Sequence, residues 1–282
     1  MISKKFISEL IKNKSKHNVN SSYYRSKKRK LLNTISKSNF IKGKTGEEQF
    51  ENLGKIFFPY IEFGKINSLD LLGLDELIIF SFYWSKRNIY KNVADLGANI
   101  GLHSIILEKC GFNVECYEPD PNHIKIMKKL FRLNNIKNVS IIQKAISIKK
   151  GTMNFVRLKG NTTGSHLQKS KKNIYGEIDT FKVDTISINK IFKKFDFIKM
   201  DIEGEEANAI KTLSQRDFSN TDMILEVGTP ENARIIYDHL CKININMFSQ
   251  KIGWSKIKTL EDIPTSHKEG SLFISKGQKM LW

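Results

Sequence analysis

A glycine-rich turn holding an acid and an amide, a second acid one strand later and a pair of acids further on are the residues of this 282-residue chain whose spacing can do chemistry. Asp95-Leu96-Gly97-Ala98-Asn99-Ile100-Gly101 follows the apolar Val93 and Ala94 and precedes Leu102, Ile105, Ile106 and Leu107, which recur at helical spacing. The pattern predicts a strand, a tight turn and a helix N-terminus. Gly97 and Gly101 lack a Cβ, so the backbone can take positive φ and let a ligand lie against bare amides. Asp95 falls at the strand end, where an open α/β sheet has its binding crevice. A dinucleotide site needs G-x-G-x-x-G for its pyrophosphate, whereas this chain reads Asp-x-Gly-x-Asn-x-Gly. An acid and an amide suit a ligand with an ammonium and a carboxylate, which points to S-adenosyl-L-methionine.

Glu118 ends the next apolar run, Asn113 to Tyr117, 23 positions after Asp95 (118 − 95). That is the length of one strand, crossover helix and strand, and a carboxylate there accepts bonds from ribose hydroxyls. In Phe197-Ile198-Lys199-Met200-Asp201-Ile202-Glu203-Gly204, Lys199 and Asp201 face one way and Ile198 and Met200 the other, which brings Asp201 to the sheet's C-terminal edge. Methyl transfer from a sulfonium is an in-line displacement that needs the acceptor held close and water kept out. An acceptor hydroxyl must also lose a proton, and a carboxylate with acidic neighbours can take it. Asp201 is the expected base or anchor, with Glu203 as its partner. Glu205 and Glu206 open the next helix and are read as structural, because acids are favoured in a first turn.

Weaker leads are His103, just after the glycine turn, and His166 with Ser165, in a polar insertion that could meet the acceptor. Glu226 ends the strand Met223 to Val227 beside Asp201, and in related folds such a pair can share a cation. No Asp, His or Glu cluster has tight metal spacing, so no metal is assigned.

DLGANIG, then YEPDP, then KMDIEGEE together resemble the FkbM-type class I methyltransferases, over about Leu53 to Lys276. The resemblance implies a Rossmann-like α/β fold: a seven-stranded, mostly parallel sheet with an antiparallel last strand and helices on both faces. It also implies S-adenosyl-L-methionine as donor and methylation of a hydroxyl on a sugar or secondary metabolite. It places Ala145 beside the adenine and matches Asp184, for which a helix cap is the expected role.

Three regions are expected: a basic arm at 1–45, a cap region at 46–90, and the methyltransferase domain at 91–282 with a lid-like insertion at about 159–177. Gly43-Lys44-Thr45-Gly46 reads as a hinge, Ile56 to Phe63 as extended, and Leu74 to Trp84 as a buried helix. Pro119-Asp120-Pro121 opens a helix with Ile124, Met127, Leu130 and Phe131 inward. Val139 to Ile142, Gly151 to Leu158 and Ile178 to Val183 read as strands, and Ser271 to Ser275 as the antiparallel last one.

Of the formal charge of +18, residues 1 to 44 carry +12, from 13 Lys or Arg against Glu9. Such an arm can meet an anionic surface or another polyanion, although 40 Lys against 7 Arg also fits a low-GC coding bias. No run approaches the ~18 apolar residues of a membrane helix, and the start lacks a secretory h-region. Ile2, Phe6 and Leu10 with Ile7 and Ile11 make a short apolar face that should pack on the body or a partner. Three cysteines without metal spacing suit the cytoplasm, with the arm allowing peripheral contact with a membrane. Neither a (D/N)PP(Y/F) loop nor a Pro-Cys nucleophile is present, which excludes the common base methylases. The reading is an O-methyltransferase acting on a hydroxylated acceptor, a saccharide of a surface glycan or lipid-linked precursor or a secondary metabolite. The alternatives are an RNA or biopolymer methyltransferase tethered by the arm, and a cofactor-binding module without turnover.

Overall fold

The computed structural model describes residues 6–35, 46–50, 53–62, 67–159, 164–168, 170 and 177–282. Helices α1 (Phe6–Lys12) and α2 (Ser22–Ile35) come first, then a hairpin of β1 (Glu47–Phe50) and β2 (Gly54–Phe57), and α3 (Leu74–Lys86). The central unit alternates β3 (Asn92–Leu96), α4 (Leu102–Lys109), β4 (Asn113–Tyr117), α5 (Pro121–Leu133) and β5 (Val139–Ile142). Four strands follow in β6 (Ala145–Ser147), β7 (Gly151–Leu158), β8 (His166–Leu167) and β9 (Ile178–Ser187). The rest is α6 (Ile188–Phe192), β10 (Phe197–Met200), α7 (Glu206–Ile210), β11 (Asp222–Leu225), α8 (Pro230–Lys242), β12 (Asn246–Ser249), β13 (Ser255–Lys256) and β14 (Leu272–Ser275).

The main sheet runs β13-β12-β14-β11-β10-β3-β4-β5. Neighbours from β11 to β5 are parallel, and β14 is inserted antiparallel between β11 and β12. This is the Rossmann-like order that the resemblance implies, with eight strands in place of the seven expected. The extra strand is β13, two exposed residues that pair antiparallel with the edge strand β12. Because β3 and β10 are covered on both faces, their residues are apolar nearly throughout, as parallel strands require. Val93 and Phe197 point to a core filled from α3, α4 and α5 by Leu77, Ile105 and Met127. Ala94 and Ile198 point to the opposite core, filled from α6, α7 and α8 by Ile188, Ala207 and Ile236.

A second sheet, ordered β6-β9-β7-β8, stands beside the main one. Period-two alternation carries β9 on to Ser187, so Asp184 lies inside the strand opposite Thr152 and is not a helix cap; Ser187 precedes α6 instead. The segment from Ile56 is extended only to Phe57, and Phe63 lies outside the described residues, as do Gly43 to Thr45 of the expected hinge. Residues 160–163, 169 and 171–176 of the insertion are also outside them.

The described part of the basic N-terminal segment packs on the body. Phe6, Ile7 and Leu10 of α1 belong to the same buried cluster as Leu77 and Phe80 of α3. The Tyr24 hydroxyl of α2 donates to Asp75 Oδ2 at 2.6 Å, and buried Leu31 adds a second apolar anchor. These contacts fix the start of α3, which sets the position of Glu76 at the sheet's C-terminal edge.

Candidate functional site

The turn after β3 is shaped by what lies against it. Gly97 has φ +75°, and a Cβ there would sit 1.7 Å from the Asp201 carbonyl oxygen, so only glycine lets the turn touch the loop after β10. Gly97 and Ala98 both donate from their amides to the Tyr117 carbonyl at 3.0 Å. Asn99 at φ +52° sends its amide to Glu118 Oε2 at 2.9 Å. Gly101 begins α4 at φ +87°, packed on Met127 and Phe131, and serves the turn's geometry.

Gly97, Asn99, Tyr117, Glu118, Ala145 and Asp201 line a cleft of about 490 Å³, within the range usual for cofactor sites. Asn99 Oδ1 is buried without a hydrogen-bond partner among the described residues, and such an atom is costly unless a ligand satisfies it. The carboxylate of Glu118 lies at the nucleoside position of the fold. These residues fit S-adenosylmethionine. Asp95, expected on the wall of this cleft, instead lies fully buried beneath it. Its Oδ2 accepts from Ser104 Oγ at 2.6 Å and its Oδ1 is 3.6 Å from Lys199 Nζ.

Lys199 is the centre of the acidic end of the site. Sheet register puts it opposite Asp95, and its Nζ also lies 3.8 Å from Asp201 Oδ2 and 3.5 Å from the Gly97 carbonyl. Burial opposes its charge, but Asp95 and Asp201 hold its pKa above the ordinary lysine value. Besides Glu118 and Asp70, the carboxylates of Glu76, Asp201, Glu203 and Glu226 line the same cleft. Burial, reinforced by Asp201, Glu203 and Glu76, pushes Glu226 up to about 9. Glu206, which accepts from the Ile202 and Gly204 amides at 2.8 and 2.9 Å, is pushed up to about 7 by burial and then by Asp201. It clamps the loop that carries Glu203, itself at φ +57°.

A second cleft of about 490 Å³ shares Asp201, Glu203, Glu226 and His267 with the first. Its other walls are Ser170, Gly204, Glu206, Thr229, Glu231 and Asn232, with Gly228 between β11 and α8. Asp201, Glu203 and Glu226 thus stand where two cavities meet, one walled by the glycine turn and Glu118 and one whose described side chains are polar.

Sequence-expected His103 is held behind this wall. Its Nε2 donates to Glu76 Oε2 at 2.7 Å, and its Nδ1 faces the Tyr83 hydroxyl at 2.9 Å. Burial works against the charge of Glu76, but His103 and Lys199 keep its pKa below the usual carboxylate value. Ser165 lines the first cleft, whereas buried His166 is on the wall of neither, its Nδ1 meeting the Gly164 carbonyl at 3.0 Å. Glu76, His123 and His267 escaped the sequence reading, whereas Glu206, read as structural, clamps the Glu203 loop. Asp75-Glu76 ahead of an apolar run looks like any helix start, and only the docking of α3 on the sheet edge shows otherwise. Among the described residues, no group of three or more His, Cys, Asp or Glu is arranged to hold a metal ion.

Residues 95–254 match the family described as the methyltransferase FkbM domain. The chain belongs to the FkbM methyltransferase family. It is an S-adenosylmethionine-dependent methyltransferase. Among solved structures, a ribosomal protein L11 methylase from Lactobacillus delbrueckii subsp. bulgaricus is 14% identical with a TM-score of 0.40, over 70% of this chain and 76% of its own. An O-methyltransferase from Bacillus cereus in complex with SAH is 12% identical with a TM-score of 0.40, over 70% of this chain and 77% of its own. Monomeric WbdD is 13% identical with a TM-score of 0.41, over 73% of this FkbM chain and 42% of WbdD. No curated protein matches the chain at a significant level.

Glu226 makes stability depend on pH. Its carboxyl has an ordinary value of 4.5 and is pushed up to about 9 in the fold, so the unfolded chain loses this proton first and stability falls as pH rises from 4.5 to 9. Without cofactor, Glu226→Gln therefore raises the melting temperature at pH 8 by several degrees, at about 2–4 °C per kcal/mol for a domain of this size. At pH 4 the two proteins melt alike. Circular dichroism melts across that range check both points.

Proposed function

We propose that this methyltransferase acts on a hydroxyl of a saccharide, taken in through the second cleft and presented to the donor at Asp201. The observation that carries the reading is the shared wall of Asp201, Glu203 and Glu226 between the two cavities. Carboxylates and small polar groups line the acceptor side, among them Glu231, Thr229, Asn232 and Ser170. Such groups bind hydroxyls, and among the described residues no Lys, Arg, Phe, Tyr or Trp is on that wall to read phosphate or stack a base. An RNA acceptor would bring phosphates against this acidic lining, which disfavours that alternative.

When bound, S-adenosylmethionine supplies the electrophilic methyl group. Asp201 accepts the proton of the acceptor hydroxyl as its oxygen is alkylated. Lys199, 3.8 Å away, holds the Asp201 side chain in place, and Glu203 orients the acceptor beside it. Glu226, neutral at pH 7, donates a hydrogen bond to an acceptor oxygen. His103 acts at one remove, by holding Glu76 against the cleft. The polar walls and the loop clamped by Glu206 exclude water from the methyl acceptor.

The basic helix α2 gives the molecule an anionic partner. Its outward residues Arg25, Lys28, Arg29 and Lys30 are exposed, while Tyr24 and Leu31 face the body. Leu32, 58% exposed, is the apolar residue on that stripe. An anionic membrane surface fits such a face, and the unpaired cysteines fit a cytoplasmic setting.

Asp201→Asn should lower kcat with the native acceptor by about 10²–10⁴-fold, while cofactor affinity by calorimetry changes only a few-fold. Wild-type turnover in both Asp201→Asn and Glu203→Gln would overturn the assignment. Sedimentation with phosphatidylglycerol-containing vesicles should remove the protein at low salt and release it at high salt. Charge reversal at Lys28 and Arg29 should abolish that binding without altering turnover of a soluble acceptor.

A further inference from the structure

Glu118 has less capacity for a cofactor than its position in the fold suggests. An ionised carboxylate offers about four lone-pair sites, two on each oxygen. Oε1 already takes the Asp120 amide at 2.9 Å and faces His123 Nδ1 at 3.3 Å, which fills it. Oε2 takes the Asn99 amide at 2.9 Å, which leaves one site. A ribose presents two vicinal hydroxyls, so Glu118 can satisfy one of them and the other needs a second partner.

His123 is placed to be that partner. It follows the Asp120 cap in the first turn of α5, is 4% exposed, and lines the same cleft as Glu118. With Nδ1–H donating to Glu118, the remaining ring nitrogen, Nε2, is buried with no hydrogen-bond partner among the described residues. A buried ring nitrogen left unpaired is costly, and it is the kind of atom a ligand completes. Asp120 is locked to Arg157 by two hydrogen bonds of 2.7 Å, and that arginine comes from β7 of the second sheet. Glu118 and Asp120 raise the His123 pKa against burial and Arg157. A hydroxyl can pair with Nε2 in either protonation state, by donating to the neutral ring or accepting from the charged one.

We propose that His123 Nε2 binds one of the two ribose hydroxyls of the cofactor, with Glu118 Oε2 binding the other. The nucleoside is thus held by a carboxylate and imidazole pair, and β7, through Arg157 and Asp120, holds that pair in place.

Calorimetry with S-adenosylhomocysteine and its 2′-deoxy and 3′-deoxy forms tests this. Wild-type protein should lose roughly three- to tenfold in affinity for each deoxy form, as expected for one hydrogen bond apiece. His123→Asn keeps a donor near Glu118 but does not reach the cleft. It should bind S-adenosylhomocysteine three- to tenfold more weakly and discriminate against only one deoxy form. His123→Gln, whose longer side chain restores a polar atom near the Nε2 position, should recover part of the lost discrimination. In the wild-type protein the His123 imidazole ¹⁵N resonance, assigned by its disappearance in the variants, should shift on adding S-adenosylhomocysteine. Wild-type discrimination retained in His123→Asn, or an equal loss for all three ligands with the ratios unchanged, would overturn the proposal. So would an Nε2 resonance that does not respond to saturating ligand.

Discussion

One buried cation among several acids is the constraint on which the site depends. Lys199 is 7% exposed in the middle of the sheet, where a lone ammonium would be driven to lose its proton. It stays charged because register sets it opposite Asp95 and because the loop after β10 brings Asp201 back beside it. The same lysine reaches the Gly97 carbonyl, so the glycine turn and the acidic loop are joined through one Nζ. Acids outnumber this cation at the cleft, and the excess appears as neutral, proton-holding Glu226 and as the raised pKa of Glu206. Removing either partner of a buried pair strands a charge and costs more than the pair itself contributes.

The charge layout separates two tasks. Formal charge on the chain is +18, yet the walls where the two clefts meet are acidic. Basic residues are concentrated on outward faces such as that of α2, while the interior of the site presents carboxylates. A single polyanion could be drawn by the outer surface but would be repelled at the reacting centre. An acceptor that is uncharged at the methylated position, carried on or near an anionic surface, meets both fields without conflict. Electrostatics of this kind steers encounter and selects partners more than it adds affinity.

Local signals made the cofactor half of the fold legible in sequence. Apolar Val93 and Ala94, the glycines at 97 and 101, and the Pro121 start of α5 each encode a strand, turn or helix within a few residues. Asp201 and Glu226 were also readable, since strand alternation sends them to one sheet edge. What escaped depends on pairing between distant segments. Asp184 looked like a cap because Thr185 and Ser187 are turn-prone, but β7 offers a partner strand that extends β9 past it. The roles of Glu76 and His123 come from how α3 and β7 dock, which no local window contains. Asp95 was assigned to the ligand, whereas the lysine opposite it in the sheet takes its charge.

The most direct measurement of the central claim is transfer of an isotope-labelled methyl group from S-adenosylmethionine to a glycan pool and an RNA pool from the native host, read by mass spectrometry. The account predicts a single added methyl, as an ether on a saccharide hydroxyl, with the RNA unlabelled. Label in the RNA, or no labelled saccharide from protein that binds the cofactor, would contradict it.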